Sequence, residues 1–564
     1  MINICKFLCF VLLFGSAALA SASPPNIGMS LVDRIDAALA APASFADKYV
    51  FYSINIADNT VPLVLILLAG TSIFLTIYYR FINITALGLA MRTVQGKYTP
   101  ANAPGQITHF QALTAALSAT VGLGNIAGVA VAVGVGGPGA TFWMILMGLC
   151  SMTTKFVECT LGVRYREIDA EGRTKGGAMY YLRTGLAEKG LPQLGIILAL
   201  IFAVFCMTST FGVSMFQVNQ AYTQFSSTFG VLQDSNGSVI FGVIVAIITG
   251  LVIIGGIESI AGVTEKLVPF MCVSYVVAAA VIIVMNIDRL GDAFEQIIGG
   301  AFSPVAVGGG AIGVLIQGVK RASFSNEAGI GSAAIAHSAV KTEKPASEGL
   351  VALLEPFTDT VIVCTMTALV LTLSGSWKID GIAMQDDVAL RAAPAMTAEV
   401  VKSVDKGEEL RFIGKENGFS KVYLSENQTA WVDNTLIEPV AGITKTSIAF
   451  EQAISWFPKM LAIAVLLFAF STMISWSYYG EQAIVYLTGG YNKSVVLGFK
   501  VALLLCVVVG ASASVGNVVM MADALIFAMA VPNIIGIYIL LPVVTRELKS
   551  YIQYTKDKDA LNGK

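Results

Sequence analysis

Charged residues are scarce in this chain. Aspartate, glutamate, lysine and arginine make up 13% of its 564 residues, against about 25% in an ordinary soluble domain. Hydrophobic residues make up 55%, and the mean hydropathy is +0.74. This composition excludes a soluble globular protein and predicts one that crosses a membrane several times. The formal net charge of −2 provides no basic surface, which argues against nucleic acid as a partner.

Patterns for metal binding, disulfides and catalysis are also missing. His109 and His337 have no histidine or cysteine at ligand spacing, which argues against zinc. No nucleophile accompanies a general base, so we predict that the chain is not an enzyme and holds no cofactor. The cysteines form no CxxC pair and are expected to be buried core residues: Cys5, Cys9, Cys150, Cys159, Cys206, Cys272, Cys364 and Cys506.

The amino terminus has the pattern of a secretory signal peptide. In residues 1–22, Lys6 precedes a short apolar run that ends in small residues, and the run is too short to span a bilayer. Residues 23–60 alternate charged and apolar groups, which predicts a helix lying along the membrane interface. With the signal removed, the mature chain starts outside the cell.

Eleven apolar runs approach the roughly 20 residues that a membrane helix needs. In the membrane body, the lysine and arginine clusters at 80–97, 164–189, 341–344 and 493–500 and in the tail at 546–564 fall on one side, whereas the loop at 221–237 has neither residue. Because these residues favour the cytoplasm, we predict a multi-pass protein of the bacterial inner membrane. The predicted inserted helices lie near 61–80, 107–137, 138–163, 194–220, 237–257, 264–286, 305–340, 347–374, 450–480, 494–511 and 514–543.

Residues 376–440 interrupt the membrane body, dividing it into parts at 61–375 and 441–545. The insertion is polar, with short alternating runs separated by Lys-Gly, Asn-Gly and Glu-Asn turns, which predicts a small β domain. The topology count places it on the extracytoplasmic side. Its spacing resembles a bacterial SH3-type barrel, a module that contacts cell wall or peptides; a passive role is the alternative.

The most unusual apolar run covers residues 116–140. Gly122, Gly124, Asn125 and Gly128 interrupt it where a plain spanning helix would carry leucine or isoleucine. We predict a helix broken inside the membrane, because freed backbone groups there must be buried and satisfied by partners or a ligand. The alternative is a small-residue surface for close helix packing. The amide of Asn125 favours the break.

Two later segments are also polar for membrane helices. Ser323, Asn326 and Glu327 have the pattern of a helix start, which predicts two half-helices over 305–340. Ser471, Thr472 and Ser475 are at helical spacing and offer hard oxygen ligands that suit a cation.

Four motifs give the chain its resemblance to the alanine/glycine:cation symporter family, whose members are sodium-coupled amino-acid carriers. The resemblance implies an all-α, leucine-transporter-type fold of two inverted five-helix repeats plus one extra amino-terminal helix. Ile145 in place of the family's usual tryptophan, the insertion and the signal peptide depart from the family. The motifs are GLGNIAGVA (Gly122 to Ala130), GGPGATFWM (Gly136 to Met144), SNEAG (Ser325 to Gly329) and SWSYYGE (Ser475 to Glu481).

In that fold, the helix at 107–137 is the first broken one. The carbonyls of Thr120 and Val121 then end its first half and, with the hydroxyls at 471, 472 and 475, are predicted to hold Na⁺. Amides at the start of the second half are predicted to bind the substrate carboxylate. Including the residues that the resemblance implies, the predicted substrate contacts are Gly122, Gly124, Asn125, Gln217, Thr472 and Trp476.

The predicted function is import of alanine, glycine or a similar small neutral amino acid with Na⁺, by alternating access. Two alternatives remain: a proton-coupled carrier, with Glu355, Asp359 or Asp523 carrying the proton, and a sensor that uses the external β domain without transport. Lys155 and Glu158 are spaced to form an ion pair, either as part of an inner gate or as a plain structural contact. Gln217 and Asn219 have interhelical hydrogen bonding as their alternative role.

Overall fold

Long apolar helices dominate the structure. The computed structural model describes residues 44–56, 59–234, 236–303, 310–425, 428–440, 442–513 and 515–561, so the predicted signal peptide at 1–22 lies outside the described residues. Within them, seven helices are long and apolar enough to cross a membrane, and one bent pair makes an eighth candidate span. The prediction of a mostly helical, multi-pass membrane protein is confirmed.

The helices are numbered here in chain order, and shorter turns are named by their ranges. They are α1 (Leu63–Tyr78), α2 (Ile82–Thr85), α3 (Leu87–Val94), α4 (His109–Thr120), α5 (Ala127–Gly136), α6 (Ala140–Arg164), α7 (Pro192–Phe229), α8 (Gly237–Ile253), α9 (Gly256–Met285), α10 (Leu290–Phe302), α11 (Gly310–Asn326), α12 (Ala333–His337), α13 (Pro345–Ala352), α14 (Thr365–Ser374), α15 (Ile443–Ala453), α16 (Phe457–Leu487), α17 (Lys493–Gly510), α18 (Val515–Ala528) and α19 (Ala530–Leu561).

Each of the eleven predicted runs overlaps a helix or a pair of helices in the described part of the chain. Two of the runs that form a single helix give short ones, with 16 residues in α1 and 17 in α8, and α11 in the divided run at 305–340 also has 17. Lys320 and Arg321 also make α11 less apolar. The predicted interfacial helix at 23–60 is helical at residues 44–50, but a β-hairpin occupies Ser53–Pro62, where β-branched isoleucines and valine favour strands.

The first predicted helix break is confirmed. α4 ends at Thr120, a 3₁₀ turn covers Leu123–Asn125, and α5 continues from Ala127 after a 60° bend. Gly122 has extended backbone (φ −139°, ψ −151°), which interrupts the helical path. The Gly122 amide donates to Asn125 Oδ1 at 2.9 Å, so the asparagine side chain caps the turn that its own backbone helps to form.

The second run also divides into two helices, α11 and α12. The predicted role of Ser323 and Asn326 at a helix start is wrong, because both residues lie at the end of α11. Asn326 Oδ1 accepts the Ala328 amide at 3.1 Å, so this side chain satisfies a donor just after the helix. Left-handed backbone, which glycine tolerates best, makes the turn at Glu327 (φ 54°), Gly329 (φ 87°) and Gly331 (φ 91°).

The half-helices contact one another in pairs, α4 with α12 and α5 with α11. Among longer helices, α16 packs along α7 and against α4, and α6 packs against α11, α12 and α13. The turn Leu123–Asn125 contacts α11, α16 and the π-helical stretch Phe357–Cys364. The first break is therefore enclosed by helices from both halves of the sequence.

The insertion is a small β domain with its own core, as predicted. A five-stranded sheet has the order β7-β6-β11-β10-β9, and a three-stranded sheet has the order β12-β5-β8. Buried side chains such as Val388, Leu390 and Val422 form the core. The strands, numbered through the whole chain, are β1 (Ser53–Ile56), β2 (Asn59–Pro62), β3 (Glu167–Ile168), β4 (Thr174–Lys175), β5 (Gly381–Ala383), β6 (Val388–Arg391), β7 (Val400–Val404), β8 (Glu409–Leu410), β9 (Phe412–Glu416), β10 (Phe419–Ser425), β11 (Gln428–Asp433) and β12 (Ile437–Pro439).

Candidate functional site

The first break frees backbone carbonyls at the end of α4. The amide of Gly122 donates to Asn125 Oδ1, and the amide of Leu123 lies 3.5 Å from Gln217 Oε1. Because these amides point to side chains, they do not close the last turn of α4 on its carbonyl oxygens. The negative end of the helix dipole therefore faces the break with unpaired oxygens.

Thr120 and Val121, two of the predicted cation ligands, lie at this end. Thr120 is the last residue of α4 and Val121 is its C-terminal cap, whose amide bonds to the Leu117 carbonyl at 2.7 Å. Both residues are buried. Their carbonyls follow the last closed hydrogen bond of the helix, which is the position expected of oxygens that a cation can use.

Three predicted substrate contacts meet at Gly122. A Cβ atom added to this glycine would lie 2.7 Å from Thr472 Oγ1 and 3.1 Å from Gln217 Nε2. Glycine is required here because α7 and α16 approach the backbone of the break so closely. Residues far apart in sequence thus converge on one small volume at the break.

The hydroxyl cluster on α16 faces the same region. Ser471, Thr472 and Ser475 are all buried. The Ser471 hydroxyl donates to the Phe468 carbonyl at 2.9 Å, and Ser118 of α4 donates to the Ser471 carbonyl at 2.6 Å. In contrast, Thr472 Oγ1 and Ser475 Oγ have no hydrogen-bond partner among the described residues.

A buried hydroxyl without a partner requires an explanation, and here the position supplies one, since hydroxyls elsewhere in the described chain, such as those of Ser151 and Thr249, also lack partners. Thr472 and Ser475 lie on a helix that packs against the free carbonyl end of α4. Neutral hydroxyl and carbonyl oxygens are hard ligands, suited to an alkali cation and poorly suited to a soft metal. Among the described residues, no group of three or more His, Cys, Asp or Glu side chains could hold a metal ion. The donor set at the break fits Na⁺.

Asn125 is held by protein groups on both sides of its amide. Its Nδ2 lies 3.0 Å from Ser325 Oγ, 2.5 Å from Asp359 Oδ1 and 3.1 Å from the Asp359 carbonyl. With Oδ1 on the Gly122 amide, the side chain joins the first break to α11 and to Phe357–Cys364. The substrate-binding role predicted for Asn125 stays a prediction.

Asp359 is a buried carboxylate with neutral donors around it. Oδ1 accepts from Asn125, while Oδ2 accepts from Ser325 Oγ and Thr360 Oγ1, each at 2.7 Å. In the described part of the chain, Asp359 forms no ion pair, whereas Glu355 lies 2.9 Å from Lys155. A buried carboxylate without a counter-charge is costly, so Asp359 favours a cation or a proton near the break.

Trp476 joins the site to the second break. It is fully buried on α16, its Nε1 donates to Glu327 Oε1 at 3.2 Å, and its ring lies edge-on to Tyr479. The other oxygen of Glu327 accepts the Ser332 hydroxyl at 2.5 Å. Trp476 is therefore fixed by the turn between α11 and α12, one helical turn from Thr472.

Aromatic side chains limit the room beside Gly124. A Cβ atom on Gly124 would lie 3.5 Å from the Phe324 ring, which meets Phe216 edge-on at 6.2 Å. Gln217 and Asn219, two positions apart on α7, contact different partners. Asn219 Nδ2 donates to carbonyls at the end of α17 (Gly510, 3.1 Å) and just beyond it (Ala513, 2.7 Å), whereas Gln217 reaches the first break.

The predicted Lys155–Glu158 pair is wrong. Lys155 extends to Glu355 at 2.9 Å, and Glu158 accepts from Asn533 Nδ2 at 2.5 Å. Each side chain finds a closer partner on a neighbouring helix, which spacing along α6 cannot reveal. Asp523, another predicted proton carrier, lies 3.4 Å from Lys320.

Both histidines, which have no partner in the sequence pattern, bind one carboxylate. His109 Nδ1 bonds to Glu348 Oε2, and His337 Nδ1 lies 2.5 Å from Glu348 Oε1. His109 and Glu348 are 239 positions apart. No local sequence motif predicts this contact. The sequence offers one indication of it, which is that ionisable residues are rare in apolar runs and usually have a partner or a function there.

Comparison with known families assigns both parts of the chain. The model of the sodium:alanine symporter family matches residues 48–404 and 427–562, and the model of the bacterial SH3 domain matches residues 386–438. The second match agrees with the inserted β domain described above.

Individual relatives agree with this assignment. The sodium/alanine symporter AgcS of Methanococcus maripaludis is 38% identical, over 88% of this chain and 96% of that protein. The probable sodium/glutamine symporter GlnT of Bacillus subtilis is 29% identical over 88% of each chain. The crystal structure of MhsT in complex with L-phenylalanine aligns at 14% identity with a TM-score of 0.47, over 78% of this chain and 89% of that one, a likeness too distant to assign the fold. The chain belongs to the sodium:alanine symporter family and is a multi-pass, cation-coupled amino-acid symporter with a bacterial SH3-like insertion.

Proposed function

We propose that this protein imports alanine, glycine or a similarly small neutral amino acid together with Na⁺, by alternating access in a leucine-transporter-type fold of inverted repeats. The observation that carries the proposal is the convergence at the first break. Gly122, Gln217 and Thr472 meet there, beside two buried hydroxyls without partners and the free carbonyl end of α4. The resemblance of the chain to a sodium/alanine symporter supports the same substrates.

One break serves both solutes. The carbonyl end of α4 and the hydroxyls of Thr472 and Ser475 hold the cation through neutral oxygens. The amino-terminal end of α5, with its positive dipole end, attracts the substrate carboxylate. Because cation and carboxylate then lie close together, each strengthens binding of the other, and this reciprocity couples the two fluxes.

Substrate size is limited by the walls of the site. Phe216 and Phe324 pack edge-on next to Gly124, and Trp476 is held in place by Glu327. A side chain much larger than a methyl group would have to displace these rings, which are fixed by packing. This favours alanine, glycine or serine over glutamine.

A release route is suggested by a cavity of about 270 Å³ at the His109 end of the membrane domain. Gln106, just before α4, lines one side, and Tyr478 and Gln482 of α16 line another. These α16 residues follow Ser475 by one to two helical turns. Movement of α4 away from α16 would join this cavity to the site.

Proton coupling is the second candidate, favoured by Asp359. Its carboxylate is buried, hydrogen-bonded to Asn125 of the break, and without an ion pair among the described residues. A proton taken up there would neutralise the same charge that otherwise attracts Na⁺. The two candidates therefore differ in the gradient that drives uptake, which is the sodium gradient for one and the proton gradient for the other.

The deciding experiment is uptake of labelled alanine into proteoliposomes that contain the full-length chain. We expect an inward sodium gradient to drive accumulation and unlabelled glycine or serine to compete better than glutamine. D-alanine in the same panel reports stereoselectivity. Undiminished uptake without sodium that follows an imposed pH gradient would overturn sodium coupling, and absence of any uptake despite alanine binding would favour the sensor.

The proposed orientation puts the chain in the bacterial inner membrane with the β domain outside. It rests on the lysine and arginine distribution, because basic residues such as Arg166, Arg173 and Lys341 lie at the His109 end. An external β domain could contact cell wall or peptide. Cells with a permeabilised outer membrane and an intact inner membrane test this orientation, because an added protease should then cleave the β domain.

A further inference from the structure

One carboxylate connects the two half-helices that lie on the same side of the breaks. His109 is the first residue of α4, and His337 is the last residue of α12. Glu348 of α13 accepts from both: Oε2 bonds to His109 Nδ1, and Oε1 lies 2.5 Å from His337 Nδ1. All three side chains are buried. Glu348 thus determines the position of both helix ends relative to α13.

The adjoining loops are fastened as well. The amide of Gln106 donates to the Ala339 carbonyl at 2.8 Å, and Ile107 pairs with Val340 in a parallel bridge. Arg166 donates to four carbonyls of these loops. Burial lowers the pKa of Arg166 to about 10, so its guanidinium remains charged at neutral pH. Its acceptors are the carbonyls of Pro104, Ser338, Val340 and Thr342. The entrance to α4 and the exit from α12 are therefore held as one unit.

Two further charged side chains, Glu355 and Lys155, lie on the other side of the His337 ring. Its Nε2 is 3.6 Å from Glu355 Oε2, and the other oxygen of Glu355 is 2.9 Å from Lys155 Nζ of α6. Neither His337 Nε2 nor Glu355 Oε2 has a hydrogen-bond partner among the described residues. A small movement would bring these two atoms within hydrogen-bond distance, so His337 and Glu355 are close but not hydrogen-bonded in this structure.

Burial of such a charged cluster inside a membrane protein is unfavourable in free energy. Buried ion pairs rarely add stability over well-packed apolar residues, but removal of one partner is strongly destabilising. Buried charged groups can instead favour one arrangement of helices over another, which explains their presence here. The helices concerned are the two broken ones, whose ends the cluster joins.

We propose that Glu348 is a positioning residue of the transport cycle. With His109 and His337 it forms a latch that holds α4 and α12 closed at the end of the membrane domain opposite the β domain. Release of the two imidazole contacts lets this pair of half-helices move, which opens the cavity beside Gln106 to the site. The inference rests on the proposed alternating-access function.

The latch predicts that its members act through one another. Glu348→Ala should lower the initial rate of sodium-driven alanine uptake about tenfold or more, while equilibrium alanine binding at saturating sodium changes less than about threefold. His109→Ala should have a large effect alone and almost none when added to Glu348→Ala. Glu348→Gln keeps the size of the side chain and should give an intermediate rate. Glu343→Ala, an exposed glutamate in the preceding loop, is the matched control.

Two outcomes would overturn the latch. One is that the effects of His109→Ala and Glu348→Ala on the uptake rate multiply in the double variant. The other is that both Glu348 variants lose uptake rate and alanine affinity in parallel. Hydrogen exchange separates this outcome from failure of the proposed function. In detergent, Glu348→Ala or Glu348→Gln should speed exchange in both 107–117 and 333–340 relative to the control, whether or not the protein transports. Faster exchange in one segment alone, or in neither, contradicts the latch.

Discussion

The two helix breaks lie side by side but are held by different means. In the first, a side chain makes the turn, since Asn125 caps the Gly122 amide. In the second, left-handed backbone at Gly329 and Gly331 makes the turn, and Asn533 Nδ2 binds the Gly329 carbonyl at 2.9 Å. Both oxygens of Glu327 in that turn are also paired.

This difference separates a ligand site from a support. Hydroxyls without partners, Thr472 Oγ1 and Ser475 Oγ, accompany the first break, so polar capacity is left there for a ligand. In the turn of the second break, the polar groups of Glu327 and Ser332 are satisfied by the protein itself, and a hydroxyl without a partner in the described chain, that of Ser323, lies one turn earlier in α11. Substitutions at the first break should therefore affect transport more than stability, and those at the second should affect stability first.

The largest effect on transport at unchanged stability is expected from Gly122→Ala. The added methyl group would meet Thr472 Oγ1 at 2.7 Å and Gln217 Nε2 at 3.1 Å, where the solutes are proposed to bind. A displacement of about 1 Å at a reacting or binding centre can cost about a hundredfold, so uptake should fall by that order. Labelled-alanine uptake measures the loss, and the melting temperature should stay close to that of the wild type.

Gly329→Ala provides the contrast at the second break. Its φ of 87° is strained for alanine by about 1–2 kcal/mol, and its Cβ would lie 2.4 Å from Leu68 Cδ2. Thermal stability should fall clearly. Gly88→Ala is the control, because no atom lies within 4 Å of its added Cβ. Equal losses of stability at Gly122 and Gly329 would contradict the division of roles.

Asn125→Leu should abolish uptake and also destabilise the protein. Leucine leaves the Gly122 amide and Asp359 Oδ1 without the partner that Asn125 supplies, and each unsatisfied buried group costs about 1–3 kcal/mol. Circular dichroism melting in detergent measures this cost. Combining Asn125→Leu with Asp359→Asn should restore part of the stability and none of the transport. Full stability of the single variant would mean that the side chain does not hold the break.

Much of the broad architecture could be predicted from composition and local pattern. Apolar runs identify the helices, and glycine with asparagine at 122–125 identifies the first break, because these residues act on their own backbone. Local pattern also located the second break but misread its polar residues: Asn326 ends a helix, since helix-start and helix-end roles use the same side chains. The partners of Lys155 were beyond reach, because they lie on helices whose packing no short motif encodes.

The candidate site was predictable in part for the same reason. Hydroxyl spacing on α16 and the resemblance to a known family pointed to Thr472, but the meeting of Thr472 and Gln217 at Gly122 depends on tertiary packing. The bond from Asn125 to Asp359 joins residues 234 positions apart, and sequence reasoning assigned them to different roles. Long-range polar contacts of this kind can be identified only once the tertiary structure is known.

Thr472→Val should weaken sodium binding without eliminating it. Valine keeps the shape of threonine and removes one neutral oxygen of the proposed cation site. If that ligand contributes about 1.5–3 kcal/mol, as hydrogen bonds to charged groups do, the sodium concentration for half-maximal uptake should rise about ten- to a hundredfold. Alanine affinity at fixed sodium should fall as well, since coupling between sites is reciprocal.

A matched pair on the same helix controls that measurement. Ser475 Oγ has no partner among the described residues, whereas Ser477 Oγ donates to the Ile474 carbonyl at 2.6 Å. Ser475→Ala should raise the required sodium concentration, and Ser477→Ala should leave it unchanged. An equal response of both serines would show that the unpaired hydroxyls do not bind the cation.

The smallest effect is expected from removal of the β domain, provided that its anchor is left in place. The anchor lies beyond the far end of α5, the half-helix that starts at the first break. Lys445 Nζ is buried there, 3.0 Å from the Trp377 carbonyl and 2.6 Å from Asp380 Oδ1, and a Cβ on Gly134 of α5 would lie 3.2 Å from it.

Deletion of 381–440 keeps this anchor, and its ends are close, because the Val440 amide bonds to the Asp380 carbonyl at 3.0 Å. With a short Gly/Ser bridge, uptake should stay within about twofold of the wild type, as expected for loss of a separately folded unit. Deletion of 376–440 instead leaves the Lys445 ammonium buried and unpaired, at a cost of about 3–5 kcal/mol, and should lower yield and melting temperature. Lys445→Met in that longer deletion should restore both. If the shorter deletion inserts normally and loses uptake, the β domain takes part in the cycle through the end of α5.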